Sequence, residues 1–80
     1  MGYHLRTINK GKLGETSKIR EELEELEDAL EQQNRIMALI ELSDLYGALE
    51  LVAINLGTNI EELSIMSKAT MKAFREGSRK

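Results

Sequence analysis

Residues 36–56, IMALIELSDLYGALELVAINL, decide how the chain folds. At about 100° per residue their apolar side chains occupy nearly the whole circumference, which predicts one long helix enclosed by others. With Ile36 set at zero, Glu41 and Asp44 fall at about 140° and about 80°, among Met37, Ala48, Leu51 and Val52. The polar edge lies elsewhere: Ser43 and Glu50 sit together near about 320° to 340°, with Tyr46 and Gly47 close by, and this side is expected to face water. Burying a carboxylate costs several kcal/mol unless it is paired, protonated or bound to a metal. Glu41 and Asp44 are therefore read as half of a metal site.

Working outward, eighty residues allow a single domain with a thin core, so self-association is expected to complete it. No apolar run approaches the length that crosses a bilayer. The start does not resemble a signal peptide, and the absence of cysteine removes any mark of an oxidising compartment; a cytoplasmic protein is expected. The net charge of −3 is unevenly spread: residues 1–20 carry +4, residues 21–50 carry −9 and residues 51–80 carry +2. An acidic centre argues against non-specific nucleic-acid binding and suits a pocket that holds cations, with basic flanks available to an anion.

Residues 1–15 contain few apolar side chains, and Gly11 and Gly14 interrupt any helix, so this segment is expected to be an ordered loop or arm. His4 has no second His or Cys at ligand spacing and is read as a surface or packing residue. Lys10 and Lys12 read as solvated loop lysines that could reach a phosphate. A helix is predicted from Thr16 or Ser17, as cap, to about Asn34. Its apolar stripe is Ile19, Leu23, Leu26 and Leu30; Glu21, Glu24 and Asp28 lie opposite and are expected to face solvent. Glu22 touches the edge of the stripe, Glu25 and Lys18 flank it, and Ala29 leaves space between them. Asn34 ends or bends this helix. Gly47 suggests close approach of a backbone or ligand to the second helix, and Gly57 stops it. Thr58 with Glu61 forms a capping-box signal for a last helix reaching about Glu76. Ile60, Leu63, Ser67, Thr70 and Phe74 share one side of that helix, and Lys68, Lys72 and Arg75 form a basic stripe on another. No strand alternation appears. The expected fold class is all-α: an antiparallel helical bundle of three main helices plus an N-terminal arm, completed by oligomerisation.

The chemistry is carried by Glu22 and Glu25 on one helix and Glu41 and Asp44 on the next, an E-x-x-E followed by an E-x-x-D. Spacing of three places each pair on one helix face, and two facing helices can surround one cavity with four carboxylates. Oxygen-only ligation suits Mg2+ or Mn2+. The competing reading is a solvated acidic face or a short coiled coil, whose heptads are broken by Gln33 and Asp44 at seam positions.

Lys18-Ile19-Arg20-Glu21-Glu22-Leu23-Glu24-Glu25-Leu26, followed by Ile40-Glu41-Leu42-Ser43-Asp44-Leu45, resembles the signature of the MazG-like all-α nucleoside triphosphate pyrophosphohydrolases over roughly residues 18–75. The resemblance implies that Glu22, Glu25, Glu41 and Asp44 hold Mg2+. It further implies cleavage of a (deoxy)nucleoside triphosphate between the α and β phosphates, and assembly as homodimers or homotetramers. Lys68, Lys72 and Arg75 stand for the family's basic substrate-facing residues, while Thr70 or Met71 replaces an expected Asn, which bears on base and sugar selection. The short arm implies a base pocket built largely by a second subunit. Glu25, set farther from the apolar stripe than Glu22, is the candidate catalytic residue that orients or deprotonates the attacking water. Two other functions compete: a non-enzymatic helical interaction module in which Glu41 and Asp44 pair with Lys or Arg, and a phosphoribosyl-ATP pyrophosphohydrolase-like enzyme.

Overall fold

In the computed structural model, which describes residues 4–77, an extended arm leads into three helices: α1 (Thr16–Glu31), α2 (Arg35–Asn55) and α3 (Ile60–Arg75). No strand occurs among the described residues, in keeping with an all-α chain. No helix is long and apolar enough to cross a membrane. α1 and α2 form the main packing interface, and α3 touches α2 alone.

The helix ends follow local chemistry, with three departures from expectation. Neither Thr16 nor Ser17 caps α1. Its N-cap position is Glu15, which makes no side-chain cap bond, and the Ser17 hydroxyl instead accepts the Lys12 N–H at 3.0 Å. The turn between α1 and α2 is made by Gln33, in the left-handed region at φ 57°, rather than by Asn34. The Asn34 N–H reaches back to the Ala29 carbonyl at 3.1 Å and the Gln33 N–H to that of Leu30 at 3.0 Å, the paired bonds of a Schellman stop. Asn34 then caps α2, its Oδ1 accepting the Met37 N–H at 3.0 Å. The cap of α3 is Asn59, whose Oδ1 accepts the Glu62 N–H at 2.8 Å, while Thr58 hydrogen-bonds the Glu62 carboxylate; the expected Thr58–Glu61 box is shifted by one residue. Gly57 ends α2 as expected, at φ 86°.

The largest correction concerns α1. Glu21 and Asp28, expected in solvent, are buried, because the arm lies along their side of the helix. An extended arm has free backbone N–H groups, and acids can satisfy them. The Leu5 N–H donates to Asp28 Oδ2 and the Gly11 N–H to Glu21 Oε1, both at 2.8 Å. Arg6 pairs with Glu31, and Asn55 Nδ2 donates to the Gly14 carbonyl at 3.1 Å, tying the arm to the end of α2. At Gly11 a Cβ would lie 2.2 Å from the Ser17 carbonyl oxygen, so only glycine fits where the arm meets the first turn of α1.

The leucine stripe of α1 meets α2 only in part: Leu26 and Leu30 line an open groove with Ala38, Leu39 and Leu42. Leu23 and Leu30 are exposed, whereas Glu22 and Ala29, on the flank of the stripe, are buried. The fully buried apolar residues among those described are four alanines, Ala29, Ala38, Ala48 and Ala53. Small side chains let α1 and α2 approach closely, and large apolar groups on α2, including Ile36, Leu39 and Ile40, remain open to solvent in the single chain. α3 buries nothing fully; Ile60, Leu63 and Thr70 are half-covered, and Ser67 and Phe74 on the same side are exposed.

Two substitutions check this architecture. Gln33→Gly removes the left-handed penalty of a residue with a Cβ and should raise stability by about 1 kcal/mol in chemical denaturation. Gly11→Ala should lower it by about 1–3 kcal/mol through overpacking and render the arm sensitive to protease while the helices keep their far-ultraviolet signal.

Candidate metal centre

The rotation that turns the leucines of α1 outward turns its acids inward. Glu22 and Glu25, one turn apart on α1, meet Glu41 and Asp44, one turn apart on α2, and one carboxylate oxygen from each lies within 4.8 Å of the others. The four residues singled out in the sequence are thus one cluster. Glu22 is 5% exposed and Glu41 is 4% exposed; Glu25 is half-buried. Asp44, expected inside, is exposed: among the described residues none covers its side of α2.

Charge balance at the cluster is poor. Lys18 Nζ lies 3.1 Å from Glu22 Oε2 and 3.1 Å from Glu21 Oε1. Among the described residues no Lys or Arg pairs with Glu25, Glu41 or Asp44, and Glu22 Oε1 and Glu41 Oε1 are buried without a hydrogen-bond partner. Burial pushes the Glu22 carboxyl above the usual carboxylate range, with Lys18 opposing and Glu25 assisting. Burial likewise raises Glu25, helped by its hydrogen bond to Glu41, and raises Glu41, where Asp44 adds repulsion. Hydrogen bonds between carboxyl groups require a shared proton, so the cluster retains protons where isolated acids would lose them.

Glu21 and Asp28 behave oppositely. Burial works against their charge, but at Glu21 the Gly11 N–H and Lys18 outweigh it, and at Asp28 Gln32 and the arm's N–H groups do; both lie below the usual range. Lys18 is raised by its bonds to Glu21 and Glu22 and stays charged.

The donor set fits a hard divalent cation: oxygen ligands only, two of them desolvated and unpaired. Beside it runs an open cleft of about 430 Å³ lined by Leu13, Lys18, Glu22, Ser43, Asp44 and Gly47, among others. No atom lies within 4 Å of where a Gly47 Cβ would be, so this glycine borders the cleft rather than receiving another backbone. Lys68, Lys72 and Arg75 are all exposed on α3, which does not touch α1, and no ion pair or hydrogen bond joins them to the cluster among the described residues. Sequence reasoning placed Lys18 beside Glu25 without a role; its i, i+3 and i, i+4 spacing to Glu21 and Glu22 was the available signal. His4, assigned to surface or packing, has its Nε2 3.8 Å from Glu25 Oε2, a contact made by the arm that no periodicity could reveal.

Comparison with protein-family models, curated proteins and solved structures returned no match to this chain.

The opposed shifts make a pH prediction. Glu22, Glu25 and Glu41 have folded pKa values above their unfolded ones, so the metal-free protein loses stability as pH rises from about 4.3 through those raised values. Glu21 and Asp28 contribute stability present above about 4 and lost as pH falls through their depressed values. Glu41→Gln should therefore raise the metal-free Tm at pH 7.5 and have much less effect at pH 4.5, whereas Asp28→Asn should lower the Tm at pH 7.5. Calorimetry of the two variants at both pH values checks the pair of signs.

Proposed function

We propose that the chain is a magnesium-dependent nucleotide pyrophosphohydrolase, converting (deoxy)nucleoside triphosphates to the monophosphate and pyrophosphate. The observation that carries the reading is the convergence of Glu22, Glu25, Glu41 and Asp44 within 4.8 Å, with two buried oxygens left unpaired. An interaction module that used these acids structurally would have Lys or Arg on Glu41 and Asp44, and none is there among the described residues. Bound Mg2+, or Mn2+, would supply neutralisation of phosphate oxygens and an acidified water. Glu22, Glu25, Glu41 and Asp44 would hold the cation. Glu25, half-buried between Glu22 and Glu41 and raised in pKa, orients a water molecule and takes its proton as the oxygen attacks the α phosphorus. The bond to the bridging oxygen breaks, and pyrophosphate leaves with that electron pair. The cleft beside Gly47 is the space for the substrate, with Lys18 at its wall.

The proposal includes assembly. Helices α1 and α2 are taken as an antiparallel pair, since Glu22 and Glu25 both meet Glu41 and Asp44 across a three-residue connection. A homodimer or homotetramer would cover Ile36, Leu39 and Ile40 and the exposed Leu23 and Leu30, large apolar side chains left open in the single chain. Lys68, Lys72 and Arg75 would contact phosphates across such an interface, because within one chain they stand apart from the carboxylates.

Three measurements test this. Pyrophosphate release from a panel of nucleoside triphosphates and phosphoribosyl-ATP should depend on Mg2+, and Glu25→Gln should lower kcat by about 10²–10⁴-fold; absence of release from every substrate would overturn the reading. Alanine at Lys68, Lys72 or Arg75 should raise KM or lower kcat with an unchanged melt, and unchanged kinetics would return the stripe to solvent. Sedimentation equilibrium at micromolar concentration should show a dimer or tetramer, against which a compact stable monomer would count.

A further inference from the structure

His4 is the chain's single histidine, and the arm delivers it to the carboxylate cluster from the side where α1 buries Asp28. Its Nε2 lies 3.8 Å from Glu25 Oε2 and its Nδ1 3.9 Å from Asp28 Oδ1. These separations exceed a hydrogen bond and fall within the about 3–4 Å that divides two ligands of one ion. One ligand atom each from His4, Glu25 and Glu41 lies within 4.8 Å of the others, a donor triad distinct from the four-carboxylate set but sharing two of its members.

Two independent features point to a ligand there. Asp28, fully buried, is itself held by the Leu5 N–H and Gln32 Nε2, so it forms a fixed backing for the imidazole. At 3.9 Å the Asp28 carboxylate is too far for a hydrogen bond, but its charge favours the tautomer that keeps the proton on Nδ1 and the lone pair on Nε2. Glu41 is 4% exposed and has one oxygen buried without a hydrogen-bond partner, a group whose desolvation nothing on the protein offsets.

We propose that His4, Glu25 and Glu41 form a second cation position beside the one bounded by Glu22, Glu25, Glu41 and Asp44, with His4 as its nitrogen donor. The proposal rests on the metal-dependent reading above and deepens it. An imidazole in the donor set shifts preference from Mg2+ toward Mn2+ and other first-row ions, so the two positions differ in the metal they favour. Glu25 and Glu41 then belong to both, which gives a reason for the arm to be held so firmly: its anchors on Glu21 and Asp28 fix His4 in register with α2.

The test uses the full-length untagged protein without nucleotide, titrated with Mn2+. Binding is counted from the electron paramagnetic resonance of free Mn2+, and nitrogen coordination is read from electron spin-echo modulation of the frozen complex. The expected result is two Mn2+ per chain with imidazole ¹⁴N modulation, which has no source other than His4. His4→Gln should remove the modulation and one equivalent, and Asp44→Asn should weaken the other equivalent while the modulation persists. Bound Mn2+ with no ¹⁴N modulation in the wild type, or modulation that survives His4→Gln, overturns the second position and leaves the four-carboxylate site standing. Absence of any bound Mn2+ overturns both. The wild-type spectrum is decisive even if His4→Gln loosens the arm.

Discussion

Four carboxylates held within 4.8 Å of one another are the constraint to which the rest of the molecule answers. Water would separate such groups, and the protein holds them together in a helix pair where Ala29, Ala38 and Ala48 are buried while Leu23 and Leu30 stay exposed. The centre of the main interface is therefore its most costly part. Burial and mutual repulsion show in the raised pKa values of Glu22, Glu25 and Glu41, and under the proposed reading a divalent cation would offset that cost.

Glu21 and Glu22 show how finely the environment divides one acidic run. Adjacent in sequence and both buried, they are shifted in opposite directions: Glu21 accepts an N–H from the arm and an ammonium from Lys18, while Glu22 shares that ammonium but also faces Glu25. Two turns further on, Asp28 repeats the Glu21 arrangement with Leu5. α1 thus has an anchoring face under the arm, an acidic face that brings Glu22 and Glu25 to α2, and a leucine stripe that is only partly covered.

Outward-facing leucines on α1 and the large apolar residues of α2 are the counterpart of that choice. Turning acids toward α2 displaces aliphatic groups that would ordinarily seal a helix pair, and among the described residues no other element covers Leu23 and Leu30. Under the proposed assembly, subunit contacts would supply the hydrophobic burial that the α1–α2 interface gives up.

Sequence periodicity was sufficient for the helices and for the grouping of Glu22, Glu25, Glu41 and Asp44. The 3.6-residue repeat, the stop at Gly57 and the E-x-x-E and E-x-x-D spacings are local properties, and local backbone geometry carries them into the structure unchanged. Helix caps were legible to within a residue or two, because Ser17 and Asn34 can each bond more than one backbone N–H within reach. The fate of Glu21, Asp28 and His4 was not legible, since it depends on an arm with no periodicity of its own, folded back over residues ten to twenty-three positions away. Nor was the outward turn of Leu23 and Leu30, for a helical wheel shows which side chains share a face but not the angle at which a neighbouring helix meets it. Those features come from packing between segments distant in the chain, where the balance of desolvation, hydrogen bonding and close approach of alanines selects one rotation of α1 among several that the pattern allows.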